Sequence, residues 1–379
     1  MHIGIDASRI AVATRTGTEH YAYELIAALA QQDQQTRYTL YCNQLPRSLP
    51  PLGPNFALRR IPLPRLWTHA RLSAEVALHP PDVLFIPAHV LPLGAPLQRR
   101  TRSVVTIHDL GYLHFPAAHT RAQRLQLRLS TLWSARAASH LIAISAATRD
   151  DLVRFTGISP TKVSVVHHGV SPRFRPVEDR TQIAAVRARY GITENYVFYV
   201  GTIQPRKNLL RLIEAFAQAL PDAPSGLQFV IAGKRGWLSE AIERRAAELG
   251  VAERVRFIGY ADDDDLPALI SGALAFVFPS LYEGFGMPVL EAMACGTPVL
   301  TSTTSSLPEV AGDAALLVPP DDTAAIAAGL RHLFAEGRLR TELRERGLRH
   351  AAQFTWERCA AQTRAILASM VSDVSQPRA

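Results

Sequence analysis

The sequence has little that would staple, anchor or address it. Its 379 residues include only three cysteines, Cys42, Cys295 and Cys359. These are odd in number, far apart and form no Cys-x-x-Cys pair, which excludes a disulfide framework and a zinc ribbon. None of the four asparagines opens an Asn-x-Ser/Thr sequon. The opening run Met1-His2-Ile3-Gly4-Ile5-Asp6 lacks the apolar region of a signal peptide, so a cytoplasmic protein is expected. Long apolar runs are missing too. Leu266 to Tyr282 is uncharged for 17 residues, but Pro267, Gly272 and Pro279 suit a short helix followed by a buried strand better than a membrane span. What remains, 47% hydrophobic and 20% charged residues, describes a soluble chain with enough apolar mass for two cores and excludes a disordered one.

Acidic residues are scarce in one half only. Up to residue 190 there are 23 Lys and Arg against 11 Asp and Glu, a net of +12, and beyond it 18 against 22, a net of −4. The overall +8 therefore belongs to the first half and points there to an anionic partner: nucleic acid, an anionic membrane surface or a phosphorylated substrate. The alternative is an arginine-rich solvated surface, since arginines outnumber lysines throughout.

Short apolar runs alternate with amphipathic segments. Ile3 to Ile5, Tyr38 to Tyr41, Val83 to Ile86, Val104 to Ile107, Leu141 to Ile144 and Val163 to Val166 read as strands buried on both faces, with helices at Glu19 to Ala30 and Arg121 to Ala138. The second half repeats the scheme. Strands are expected at Val197 to Val200, Phe229 to Ala232, Val255 to Ile258, Ala275 to Phe278, Val299-Leu300 and Leu316 to Val318. Helices are expected at Asn208 to Ala219, Ser239 to Leu249, Leu266 to Ser271, Pro288 to Met293 and Thr323 to Glu336. The fold class is thus α/β, with two Rossmann-like parallel-sheet domains facing an interdomain crevice. Residues 1–172 are expected to form one domain, 173–190 a linker marked by Pro172 and Pro176, and 191–355 a second domain. A helix over 356–371 could pack back across the junction, and 372–379 reads as a disordered tail.

Two segments carry chemistry. After the strand Val197 to Val200 comes Gly201-Thr202-Ile203-Gln204-Pro205-Arg206-Lys207-Asn208 and then a helix. A glycine turn, a helix start and two cations converge there, which is what a diphosphate needs. Further on, Glu283-Gly284-Phe285-Gly286-Met287-Pro288-Val289-Leu290-Glu291 sets one carboxylate in a glycine-rich loop and a second on the following helix. The first can reach sugar hydroxyls and the second both hydroxyls of a ribose. Apolar neighbours of Glu291 argue against casual exposure.

Glu283 to Glu291, continuing through Ala292-Met293-Ala294-Cys295-Gly296-Thr297-Pro298-Val299, resembles the E-x7-E signature of the retaining GT-B glycosyltransferases of family 4. The Lys207 loop, Ile231-Ala232-Gly233, Phe257-Ile258-Gly259-Tyr260 and His108 follow in the family's order. Gly201 to Asn208 and His108-Asp109-Leu110 with Phe115-Pro116 resemble its bacterial mannosyltransferase-like members, which build surface polysaccharides. The resemblance implies that Lys207 with Arg206 neutralises the donor diphosphate and that Glu291 holds the ribose. Glu283, with backbone groups of Gly284, Phe285, Gly286 and Met287, would bind the donor sugar, and His108 would contact that sugar and steady charge near the anomeric carbon. Gly201 and Gly233 would border the donor, Tyr260 the base, and Gly17, in the loop after the first strand, would admit the phosphates or sugar. The chain departs from many relatives at Gly201-Thr202, where they carry Gly-Arg, and at Thr16-Gly17-Thr18, where they have two glycines.

No cofactor is expected beyond the nucleotide-sugar co-substrate. Asp262 to Asp265 could be read as a metal-holding Asp-x-Asp run, but acidic residues also favour a helix start and Arg206 with Lys207 already covers the charge, so a metal-independent enzyme is expected. His167-His168 reads as a turn out of a strand. In Arg121 to Arg136, arginines 121, 124, 128 and 136 are interspersed with Leu125, Leu129, Leu132 and Trp133. This is either an interfacial helix on an anionic membrane at the inner face or an ordinary helix with its leucines in the core. The activity expected is transfer of a hexose, mannose from GDP-mannose first, to a growing surface glycan or lipid-linked saccharide. A nucleotide-sugar epimerase on the same fold is the alternative. A nucleic-acid-binding protein is disfavoured by the lack of interleaved aromatic and basic residues.

Overall fold

The computed structural model describes residues 1–12, 17–98, 100–116, 120–234 and 239–372. The chain divides into two units, Met1–Gly169 together with the segment from Thr355, and Val170–Phe354.

In the first unit, strands β1 (His2–Asp6), β2 (Arg37–Cys42), β3 (Phe56–Arg60), β4 (Val83–Ile86), β5 (Arg102–Ile107), β6 (His140–Ala143) and β7 (Val163–Val165) form one sheet in the order 3-2-1-4-5-6-7. Every pairing is parallel; Ile3, for example, lies opposite Tyr38 on one side and Val83 on the other. All four residues of β4 are buried, as expected of β-branched and aromatic side chains in a sheet covered by helices on both faces. One face packs Ile3, Ile5, Phe85 and Ile142 against Tyr21, Leu25 and Leu29 of the helix Gly17–Gln32 and against Trp356, Cys359 and Leu367 of the helix Trp356–Ser372. The other packs Leu84, Ile86, Val105 and Leu141 against Leu72, Val76, Ala135 and Leu152. Each fully buried aliphatic side chain contributes roughly 1.5–3 kcal/mol.

The segment from Thr355 therefore belongs to the first unit, and the two chain crossings are anchored locally. Val170 N–H donates to the Phe354 carbonyl at 2.9 Å. Gly169 runs so close to the Thr355–Trp356 backbone that any Cβ there would overlap it.

The second unit repeats the plan. Strands β8 (Tyr196–Val200), β9 (Gln228–Ala232), β10 (Val255–Gly259), β11 (Ala275–Phe278), β12 (Val299–Ser302) and β13 (Leu316–Val318) form a parallel sheet in the order 10-9-8-11-12-13. Phe276 lies between Phe198 and Val299 in register. The strand order reverses between β8 and β11, so loops leaving their carboxyl ends diverge and open a crevice in this unit, the switch point at which open α/β sheets bind ligands.

Several elements differ from expectation, among them the helices Leu307–Ala311 and Gly337–Ala351, which were not expected. Residues 173–190 are not a plain linker. They hold the helix Arg180–Tyr190, capped by Asp179, whose carboxylate accepts from Thr181 N–H at 2.8 Å, and ended by Gly191. Strand β3 was not expected, because Phe56–Arg60 is a half-exposed edge without an apolar run. The expected tail lies, from residue 373 on, outside the described residues, and Ser372 closes the last helix. Among the described residues, no helix is long and apolar enough to cross a membrane.

Candidate active site

The loops at the second unit's switch point are stitched together by a buried asparagine. Asn208 sits at φ 62° before the helix Leu209–Ala219 and donates to the carbonyls of Pro279, after β11, and Pro320, after β13. Leu281 N–H donates to the Arg206 carbonyl at 2.8 Å. This fixes Arg206 and Lys207, in the turn after β8, against Glu283 in the loop after β11. Lys207 Nζ lies 2.5 Å from Glu283 Oε1 and 4.6 Å from the centre of the Phe278 ring. Arg206 donates to Glu283 Oε2 at 2.6 Å and to the Tyr282 carbonyl at 2.9 Å. Lys207 and Glu283 are each 7% exposed, so charges of both signs are held away from water and depend on one another. Burial alone would raise the Glu283 carboxyl, but the Lys207 and Arg206 cations outweigh it and hold the group below the usual carboxylate range.

The Glu283 loop is held by hydroxyls that follow β12. Ser306 Oγ donates to the carbonyls of Glu283 (2.9 Å) and Phe285 (2.6 Å), and Glu283 N–H donates to Ser305 Oγ at 2.9 Å. Ser305 adopts φ 55°, a strained position for a side chain that persists where its surroundings fix it. Sequence reasoning missed these serines; the signal was the hydroxyl run Ser302-Thr303-Thr304-Ser305-Ser306 directly after a buried strand. Gly284, Phe285 and Gly286 are buried and lead into the helix Met287–Ala294, which carries Glu291. The Glu291 carboxyl is pushed up to about 7, first by burial and further by Asp263, with Arg173 opposing. Arg173, which pairs with Asp263 at 3.3 Å, is a second residue that the sequence did not single out.

Gly201 N–H donates to the Ala232 carbonyl and Gly233 N–H to that of Gly259, so the turns after β8, β9 and β10 are packed backbone to backbone. A Cβ on Gly233 would overlap the Gly201 carbonyl, which leaves glycine as the residue that fits. Tyr260 is 66% exposed and donates to Asp263 at 3.1 Å. Of the aspartates after it, Asp265 is tied into the fold: it accepts from Arg189 at 2.7 and 2.6 Å and from Tyr190 at 2.8 Å.

His108 and Gly17 belong to the first unit. Gly17 is the exposed first residue of a helix rather than part of a loop, and Thr16 lies outside the described residues. His108 follows β5, is 6% exposed, and meets Tyr21 edge-on with ring centres 4.8 Å apart. Its Nε2 lies 2.7 Å from the Pro87 carbonyl, which can only accept, so Nε2 carries the hydrogen. Burial first, then neighbouring His89, lowers its pKa to about 3. The ring is therefore neutral near pH 7, with Nδ1 an acceptor. His168, read as a turn residue, is instead buried, stacked on Tyr21 at 4.7 Å and on Trp356 at 5.7 Å.

Residues 15–174 match the family model for Glycosyltransferase Family 4, and residues 183–350 match that for Glycosyl transferases group 1. The O-antigen chain mannosyltransferase B of Escherichia coli is 34% identical over 268 residues, 70% of each chain. This chain is a family 4 glycosyltransferase with the GT-B architecture. The glycosyltransferase is also 36% identical over 239 residues to the D-inositol 3-phosphate glycosyltransferase of Streptomyces bingchenggensis, and 30% over 247 to the serotype-specific mannosyltransferase WbdA of Escherichia coli. Those alignments cover 52% and 30% of the relatives' lengths.

Among solved structures, the glycosyltransferase is similar to sucrose-phosphate synthase from Thermosynechococcus elongatus, with a TM-score of 0.77 at 23% identity over 98% of this chain and all of that one. It is also similar to HepE of Anabaena in complex with UDP and glucose, with a TM-score of 0.74 at 18% identity over 97% and 99% of the two chains. At these identities the likeness establishes the fold. Of the expected site residues, the structure brings Arg206, Lys207 and Glu283 into direct contact; Gly201 and Gly233 adjoin one another, and Glu291 and Tyr260 share the neighbourhood of Asp263.

Proposed function

We propose that this glycosyltransferase transfers a hexose from a nucleotide-sugar donor to a growing surface glycan or lipid-linked saccharide, with retention of configuration and without a metal ion. The observation that carries the proposal is the Arg206–Lys207–Glu283 cluster at the second unit's switch point, in which Lys207 and Glu283 are buried. Two cations at the end of β8 can neutralise a diphosphate and stabilise it as it departs. Glu283, with the backbone of Gly284, Phe285, Gly286 and Met287 at a helix start, can accept from sugar hydroxyls. Glu291 can hold the ribose, Tyr260 border the base, and Gly201 and Gly233 give the donor access to backbone. Nδ1 of neutral His108 suits a sugar hydroxyl, and Gly17 opens the helix that follows β1. Mannose from GDP-mannose is the proposed donor pair, since two of the named relatives are mannosyltransferases.

Both oxygens of Glu283 are engaged by cations, which disfavours it as a nucleophile. Front-face attack by the acceptor hydroxyl, with the leaving phosphate taking the proton, is the mechanism we favour. Incubation with a panel of nucleotide sugars should give thermal stabilisation and slow hydrolysis with GDP-mannose foremost, the released sugar first appearing with the donor's own anomeric configuration by NMR. Inverted sugar, or a covalent glycosyl-enzyme adduct, would overturn the proposed course.

The raised Glu291 carboxyl adds a pH dependence. With a folded value of about 7 against an ordinary 4.5, its favourable contribution to stability is complete below the ordinary value and lost as pH rises through the folded one. The ionised form that grips a ribose gains population over the same upper range. Donor affinity by calorimetry should rise about tenfold from about pH 6 to about pH 8. A Glu291→Gln variant should give a flat, weaker profile; a parental profile in that variant would remove Glu291 from the donor site.

A further inference from the structure

Helix Arg121–Ala137, with the sequence RAQRLQLRLSTLWSARA, contains four arginines and no acidic residue. Its carboxyl-terminal half is docked in the first unit. Thr131, Ser134 and Ala135 are buried, Leu91 N–H donates to Ser134 Oγ at 3.0 Å, and Trp133 Nε1 donates to the Leu91 carbonyl at 3.1 Å. The amino-terminal half is not. Residues 121–126 are all exposed, and Leu125 and Leu129, one turn apart, are 58% and 57% exposed. Of the two readings of this helix, the core-facing one therefore fails for Leu125 and Leu129, while Leu132 and Trp133 are half-buried. Leu125 and Leu129 each lie beside arginines on the same side of the helix, since positions 121, 125, 128 and 129 fall within one stripe at helical spacing.

The arginines are also uncommitted. Among the described residues, no ion pair reaches Arg121, Arg124 or Arg128; Arg128 instead lies 5.7 Å from the centre of the Phe155 ring. With Tyr112, Leu113 and Leu125 the three border an open groove of ≈ 370 Å³. The helix is firmly started by a capping box between Thr120 and Gln123, worth about 1 kcal/mol, so the exposed half is an ordered element. An exposed leucine pair set among arginines asks for a partner that is anionic at its surface and apolar just beneath. Nucleic acid satisfies only the first requirement. An anionic bilayer satisfies both.

We propose that the amino-terminal half of this helix docks the protein on an anionic lipid bilayer, with lipid phosphates in the groove bordered by Arg121, Arg124 and Arg128 and with Leu125 and Leu129 entering the acyl boundary. It stands on observations separate from those for donor binding, so either can fail alone.

The test is co-sedimentation of the full chain with vesicles of phosphatidylcholine, alone or with about one-third phosphatidylglycerol. Binding is expected on the mixed vesicles, little on the neutral ones, and progressive loss as salt rises. The triple variant Arg121→Gln, Arg124→Gln, Arg128→Gln should lower partitioning about 100-fold, at roughly fivefold per cation. The pair Leu125→Ser, Leu129→Ser should lower it about tenfold or more. All positions changed are exposed, so both variants should unfold thermally as the parent does. Equal binding to neutral vesicles, parental binding by either variant, or binding to duplex DNA or polyglutamate with vesicles left unbound would overturn the proposal.

Discussion

Replacing Lys207 by alanine is expected to abolish donor-induced thermal stabilisation and to destabilise the free protein as well. The Lys207 ammonium is buried against Glu283 and over the Phe278 ring. Without it, the carboxylate keeps a single cation, Arg206, and a gap opens where three methylenes and the ammonium lay. Breaking a buried ion pair by removing one partner costs about 3–5 kcal/mol, and Arg206 limits the loss to the lower end. Lys207→Met separates the two effects. It retains the stem beside Phe278 and should recover part of the stability in denaturant unfolding, but none of the donor binding. Donor affinity at the parental level in either variant would remove Lys207 from the phosphate site.

Glu283→Gln should change two affinities in opposite directions. In the free protein both carboxylate oxygens accept from the cations assigned to the diphosphate. An incoming diphosphate must therefore compete with a carboxylate already in place. Glutamine has nearly the same shape and no charge. Relieving the competition should tighten inorganic diphosphate and nucleoside diphosphate binding by about tenfold, on the order of 1–2 kcal/mol at partly buried separations. The intact nucleotide sugar should suffer, because the acceptor of its hydroxyls is weakened, and turnover should fall by about 10²–10³. Calorimetry with diphosphate and with the sugar nucleotide, set beside initial rates, reads all three. A loss of diphosphate affinity would mean that Glu283 holds the cations in place rather than competing for them.

Much of the fold is visible in the sequence because a parallel sheet buried on both faces reduces to short apolar runs. Val83-Leu84-Phe85-Ile86 is such a run and is entirely buried. Strand β3 escaped because an edge strand with one side toward solvent needs no such run, and Phe56-Ala57-Leu58-Arg59-Arg60 has none. The helix Arg180–Tyr190 escaped because the prolines before it suggested a break, while its start signal, Asp179, is a single residue. In the candidate site, the turn after β8 and the glycine loop after β11 each stood out in the local sequence. Their union did not: Lys207 and Glu283 lie 76 residues apart, and no local spacing encodes a contact made by two loops leaving different strands. The same holds for Arg173 and Glu291, whose mutual influence depends on burial that only the folded chain supplies.

The chain leaves the first unit at Gly169 and re-enters it at Thr355, which sets an order of events during synthesis. The second unit is one uninterrupted stretch and has all its residues once Phe354 has emerged from the ribosome. The first unit, begun earlier, must wait. Its helix Gly17–Gln32 lacks the covering supplied by Trp356, Cys359 and Leu367, and Gln32 lacks the Glu357 carbonyl to which it donates at 2.8 Å. Until the segment from Thr355 arrives, the part of the first unit's core that Trp356, Cys359 and Leu367 cover stays open. The unit begun first is therefore the later of the two to have all its residues, and its core closes only when the helix Trp356–Ser372 has been made.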